Sequence, residues 1–180
     1  MSAILIGSIS TLVDTSELQR RAFNEAFEAH GLDWKWSQPD YVAMLESNGG
    51  PQRIADYAES RDEDVDADTV HATKSQIFQE LLATAGLKPR PGVLATVNEA
   101  KRRDVKLGFV TTTSPENISA LLEALSPDID ADTFDVIVDR DCSGVVFVSV
   151  TRERHRDRVV RVDWLDHDRK GQCGPVAEAQ

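Results

Sequence analysis

Apolar positions along this chain follow two different periods. Three short runs, Ala3–Ile6, Val105–Val110 and Phe134–Val138, are mostly unbroken and are bounded by glycine, threonine or aspartate. That is the pattern of parallel strands buried on both faces. Between the first two runs the period changes to that of a helix. Leu18, Ala22, Phe23, Ala26 and Phe27 share one helical face, Ser16 stands where an N-cap is expected, and Gly31 closes the helix after His30. Trp34 and Trp36 flank Lys35 in a connection, and both are expected to pack rather than to stack on a ligand. Gln38–Glu46 predicts a short helix and Asn48–Pro51 a loop. Gln52–Ser60 and Asp68–Ala85 predict two more helices, separated by the acidic stretch from Arg61.

Beyond residue 86 the strand pattern returns. Pro89 and Pro91-Gly92 make a break, and Val93–Arg103 reads as a helix leading into the second strand. Thr111–Pro115 is a turn, with Ser114 or Thr113 placed to cap a helix over Glu116–Leu125. Asp128–Asp132 is a polar loop before the third strand. The expected fold is α/β: a parallel-sheet core formed by residues 1–15 and 87–180, with a helical cap, 16–86, inserted after the first strand.

Composition narrows the partners. At 180 residues the chain can bury a substantial core, and a formal charge of −11 argues against nucleic-acid backbones and anionic membranes. No apolar run is long enough to span a bilayer, and the first strand begins without the pattern of a signal peptide, so a cytoplasmic protein is expected. Cys142 and Cys173 are too few for a disulfide framework and lack metal-ligand spacing. His30, His71, His155 and His167 have no partners at catalytic spacing and read as surface residues.

The stretch Ile4–Asp14, I-L-I-G-S-I-S-T-L-V-D, resembles the first motif of the haloacid dehalogenase superfamily, a hydrophobic strand followed by D-x-D-G-T-L. Other stretches resemble its branch of CbbY-like sugar-phosphate phosphatases, close to β-phosphoglucomutase. They are the helix Glu17–Asn24, the segment Gly31–Trp34, Gly49-Gly50-Pro51-Gln52-Arg53-Ile54 against G-G-K-E-R-I, Arg90–Val93, Thr111–Ser114 and Phe134–Ile137. The resemblance covers residues 3–141. It implies a Rossmann-like core with an inserted helical cap, and a phosphatase in which the first aspartate attacks phosphorus and binds Mg²⁺ while the second protonates the leaving group. Aligned on Thr11 and Leu12, those aspartates fall on Gly7 and Ile9. The lysine that the family supplies after the third strand, usually before a proline, has no counterpart after Asp141.

Attack, one metal ligand, the acid and one neutralising charge are therefore missing together, and groups that act as a unit are not replaced singly. The chain is expected to be a pseudoenzyme with no catalytic residue, no metal ligand and no cofactor, retaining at most a phosphorylated metabolite. Ser8 and Ser10 in the first turn, and Thr111 and Thr112 after the second strand, are the candidate phosphate donors, at the carboxyl ends of strands where open α/β sheets bind ligands. In the cap, Glu17, Gln19, Arg20 and Arg53 are the candidate substrate contacts, Arg53 foremost because a guanidinium grips phosphate in two places. Asp14 lies past the turn and is expected to point away. Two rival readings stand beside this one. One is a Mg²⁺-dependent phosphatase with a non-standard site; the other is an interaction module whose cap or tail meets a protein partner or a second copy. Arg152–Arg158 is expected to be a solvated helix face, and Asp163, Asp166 and Asp168 a surface turn following a strand at Val159–Trp164.

Overall fold

In the computed structural model, residues 3–45 and 49–141 are described in full, together with the backbone of two later strands, 146–152 and 158–164. The chain divides into two compact units, one of residues 1–14 and 87–180 and one of residues 15–86.

The first unit is α/β. Strands β1 (Ala3–Gly7), β2 (Lys106–Val110) and β3 (Val136–Val138) form a parallel sheet in the order β1-β2-β3, with Ala3 opposite Lys106 and Gly108 opposite Val136. Parallel strands need helical crossovers. Helix α6 (Val93–Arg102) leads into β2, and α7 (Pro115–Leu125) connects β2 to β3. Leu107, Phe109, Ile118, Leu121, Leu125 and Ile129 are buried in this unit. Gly108 is a packing requirement: a Cβ there would come within 2.6 Å of Leu5 Cδ2, so only glycine lets the Leu5 side chain lie over β2. Asp135 fixes the start of β2, accepting from the Leu107 amide at 2.8 Å and pairing with Lys106 at 2.8 Å.

The second unit is helical: α2 (Ser16–Ala29), α3 (Gln38–Met44), α4 (Gly50–Ser60) and α5 (Ala67–Thr84). Its core is aromatic. Phe23, Phe27, Trp34, Trp36 and Tyr41 are all buried, and Phe27 meets Trp36 edge-on with centroids 4.7 Å apart. The segment carrying Trp36 has no strand partner, so its backbone is satisfied by side chains of α2. Asn24 Oδ1 accepts from the Trp36 amide at 2.8 Å, and the Trp36 carbonyl accepts from Asn24 Nδ2 at 3.0 Å and from Arg20 Nη1 at 2.8 Å. That division of labour is why a connection with no secondary structure can lie within a core.

Several expectations need correction. Ser16 is the first helical residue of α2, and Thr15 occupies the cap position without a side-chain bond. The small-residue turn after β1 runs into a one-turn helix, α1 (Ile9–Leu12). Gly50 and Pro51 belong to α4 and not to a loop, since proline is accommodated in a first turn, where its missing N–H costs nothing. Ser114 caps α7 by position but makes no side-chain capping bond. Strands β4 (Val146–Arg152) and β5 (Arg158–Trp164) pair antiparallel, Val146 opposite Trp164, so Arg152 and Arg158 end strands where a helix face was expected. Cys142, His155, Asp166, His167, Asp168 and Cys173 lie outside the described residues.

Candidate functional site

Two places gather the residues that the sequence points to, and each belongs to one unit. The first is the carboxyl end of the sheet. Gly7 ends β1 opposite Val110, and the Ser8 amide continues the ladder to the Val110 carbonyl at 3.1 Å. Ser8 has φ 61° and ψ 153°, a region that side chains other than hydrogen disfavour, so the chain is forced sharply out of the strand here. Its hydroxyl meets that of Ser10 at 2.8 Å, and Thr11 Oγ1 donates to the Gly7 carbonyl. Arg90 braces the same turn: Nε donates to the Ser10 carbonyl at 2.7 Å and the guanidinium pairs with Asp14 at 3.3 Å. Asp14 therefore serves the loop's shape. Sequence reasoning read Arg90 only as part of a motif marking the return to the sheet, and its bond to Ser10 is a long-range contact with no local signal.

At the end of β2, Thr111 is buried and Thr112 exposed. The Thr111 amide donates to the Val138 carbonyl at 2.8 Å. Its hydroxyl donates to Thr113 Oγ1 at 3.1 Å and accepts from the Thr113 amide at 3.2 Å. So Thr111 is occupied within its own turn, while Ser8, Ser10 and Thr112 present hydroxyls on the surface. Gly7 contributes no side chain and Ile9 turns inward, 7% exposed. Mg²⁺ takes oxygen ligands, usually with one or two carboxylates. The donors in this turn are hydroxyls and backbone, and among the described residues no three acidic, histidine or cysteine side chains cluster. The turn does not fit the metal, and no step is derived through it.

The second place lies within the helical unit. Lys74, on α5, is 4% exposed, its Nζ 4.8 Å from the ring centroids of both Phe23 and Phe78. It donates to Gln19 Oε1. Arg53, on α4, is half-buried beside the same aromatic group, its guanidinium carbon 6.0 Å from the Phe23 centroid and 5.8 Å from that of Tyr41. Arg53 Nε donates to the Met44 carbonyl at 2.9 Å. Burial first, and then the Arg53 charge, bring the Lys74 ammonium down from 10.5 to about 7. His71, one turn earlier on α5, is half-buried: its ring sits against Gly50, where a Cβ would lie 2.2 Å from Nε2.

The four cap candidates separate in this geometry. Arg53 and Gln19 belong to the Lys74 cluster. Glu17 and Arg20 pair with each other at 2.5 Å on the α2 surface, and Arg20 is further committed to the Trp36 carbonyl. The Arg20 hydrogen bond holds the Glu17 carboxyl below its ordinary range. Lys74 was missed by sequence reasoning. Its place in the pattern, on the apolar face of α5 with Val70, Phe78 and Leu82, is the signal that could have found it.

A parallel sheet with a helical unit inserted after its first strand defines the class. Residues 2–152 match the haloacid dehalogenase-like hydrolase model, and the chain belongs to that family. Within it the likeness is to CbbY. The chain is 35% identical to CbbY of Rhodobacter capsulatus and 38% identical to CbbY of Cereibacter sphaeroides, each over 144 residues that make up 78% of this chain and 63% of the relative. It thus spans under two thirds of the length of these relatives. The solved structure of Rhodobacter sphaeroides CbbY in complex with phosphate matches with TM-score 0.72 at 38% identity, over 79% of this chain and 65% of that one. A variant of the same protein in complex with xylulose-1,5-bisphosphate matches with TM-score 0.71.

Proposed function

We propose that this chain is a CbbY-like member of the family that has lost phosphoryl-transfer chemistry and keeps the capacity to bind a phosphorylated small molecule. The observation that carries the reading is the end of β1. Where the family places its two carboxylates, this chain has Gly7, without a side chain, and Ile9, which is buried. A loss of the nucleophile alone costs about a millionfold in turnover in an unrelated hydrolase. Retained binding is supported by the cation pair Arg53 and Lys74 and by the surface hydroxyls of Ser8, Ser10 and Thr112. Phosphate and xylulose-1,5-bisphosphate are bound by the similar CbbY proteins, which makes sugar phosphates the class to try.

The test is phosphate release, with Mg²⁺, from sugar mono- and bisphosphates, alongside binding of the same compounds by calorimetry. The unaltered chain is expected to bind without turnover. Turnover by the unaltered chain would overturn the reading. The Gly7→Asp/Ile9→Asp variant asks whether the carboxylates are all that is missing. A Cβ on Gly7 meets nothing closer than the Val110 carbonyl at 4.0 Å, so Gly7→Asp is expected to fold with a change within about 0.5 kcal/mol. Ile9→Asp places a carboxylate at a buried position and is expected to cost roughly 2 kcal/mol or more.

A further inference from the structure

β1 has the sequence of an inner strand and the position of an outer one. Ala3-Ile4-Leu5-Ile6-Gly7 carries no charge and no proline, and it runs beside Lys106–Val110 without a bulge. Strands left at a sheet edge are ordinarily blunted by charge, proline, a bulge or shortness. β3, on the other side of the sheet, is treated that way: it is three residues long and is followed by Asp139-Arg140-Asp141. Among the described residues β1 pairs only with β2. The Ser8 amide donates to the Val110 carbonyl, so the Ile4 and Ile6 amides also turn towards β2, while Ala3, Leu5 and Gly7 face the open edge. The Gly7 carbonyl is taken by Thr11 Oγ1. The amide and carbonyl of half-buried Leu5, the Gly7 amide and the Ala3 carbonyl are left for another strand.

A second open edge lies next to this one. β4 and β5 pair only with each other, and β5 runs beside β1 within the same unit. A lone two-stranded hairpin is marginal in water and needs a further strand or a helix to pack on. In this hairpin Val146, Val148 and Val150 stand opposite Trp164, Val162 and Val160, which places six apolar residues on one face. Hairpin and sheet each lack what the other offers.

We infer that the β4–β5 hairpin is a strap for the sheet: β5 adds to the open edge of β1 and makes one five-stranded sheet in the order β4-β5-β1-β2-β3. β1 then has a neighbour on each side, as its uncharged sequence predicts, and the strand that leads into the Ser8–Ser10 turn is held from both edges. The occupant is the chain's own β5 and not a second copy. β5 is tethered beside β1, whereas pairing two copies brings together chains of formal charge −11.

The test is residue-resolved hydrogen exchange on the full, unaltered chain, followed by NMR. The Ile4 and Ile6 amides, bonded to β2, are the internal standard. The Leu5 and Gly7 amides are expected to exchange within about tenfold of Ile6, and equally so after dilution of the protein. An alternating pattern, with Ile4 and Ile6 slow and Leu5 and Gly7 fast, would mean that the edge is open and would overturn the inference without any variant having to fold. Protection at Leu5 that falls on dilution, with a dimer seen by sedimentation, would assign the edge to a second copy and overturn it as well. Val160→Pro breaks β5 at its middle and should speed exchange at Leu5 and Gly7 by about a hundredfold, with Ile6 close to its parent value. Leu5 protection that survives Val160→Pro would mean that another segment covers the edge, and the strap falls.

Discussion

The end of the sheet and the cluster around Lys74 treat polar groups in opposite ways. At the sheet end, polar groups are spent on the turn itself: Arg90 on Ser10 and Asp14, Ser8 with Ser10, and Thr111 with Thr113. In the helical unit a cation is kept under almost complete burial, with an amide for a partner and another cation nearby. A turn that satisfies itself is stable with no ligand. A desolvated amine is a standing cost, and a fold keeps such costs where a site needs them. The difference teaches that, among the described residues, the helical unit buries a cation while the sheet end keeps its polar groups in turn contacts.

The largest effect should come from pH. Lys74 has a folded value near 7, below its unfolded value of 10.5, so between them the unfolded state binds a proton that the folded state does not. Stability of the helical unit should therefore rise with pH from about 7 towards 10, by at most about 1.4 kcal/mol per unit, and be flat in this group below 7. Buried Tyr41, raised above its ordinary value by desolvation, reverses the trend above 10. Denaturant melts followed by fluorescence in a Trp164→Phe background would report Trp34 and Trp36, both in this unit. Lys74→Met should remove the slope and raise stability at pH 7. A Lys74→Met protein as pH-dependent as its parent would break the comparison at its root.

Next in size is Arg20→Ala. It strips one donor from the buried Trp36 segment and ends the pair with Glu17, and should cost about 1–3 kcal/mol in the same melts. Phosphate affinity, measured by calorimetry at a temperature where the variant is folded, should stay within about twofold, because Arg20 is committed to structure. A larger loss would return Arg20 to the ligand contacts. Asp135→Ala should cost about 1–2 kcal/mol in the α/β unit by leaving the Leu107 amide unpaired, and leave the tryptophan melt unchanged.

Much of this was legible because the period of apolar residues changes where the structure changes. Ala3–Ile6 and Val105–Val110 read as buried strands, and the helical stretch between them forms a unit of its own. What could not be read was set by distance in sequence. Lys74 meets Gln19 across 55 positions, and Arg90 meets Ser10 across 80. His71 looked like a surface residue because nothing local announces that Gly50 lies under its ring. Arg20 looked like a ligand contact because a helix-surface arginine and one that holds a neighbouring carbonyl share the same pattern. Residue type announces chemistry, but only packing decides whether a donor is already spent.

Thr111 sharpens that last point and is the smallest effect. Its hydroxyl, one of the proposed phosphate donors, donates to Thr113 Oγ1 and accepts from the Thr113 amide. Thr111→Val keeps the shape and deletes both bonds, at an expected cost of about 1 kcal/mol. If ligand affinity resides in the helical unit, Thr111→Val should weaken binding of inorganic phosphate less than Arg53→Gln does, although it disturbs the turn more. Calorimetry on the two variants at one pH compares them directly. An equal or greater loss in Thr111→Val would mean that the hydroxyl leaves its turn when phosphate arrives. The sheet end would then be a working anion site, whose donors are held in readiness by bonds that each cost little to exchange.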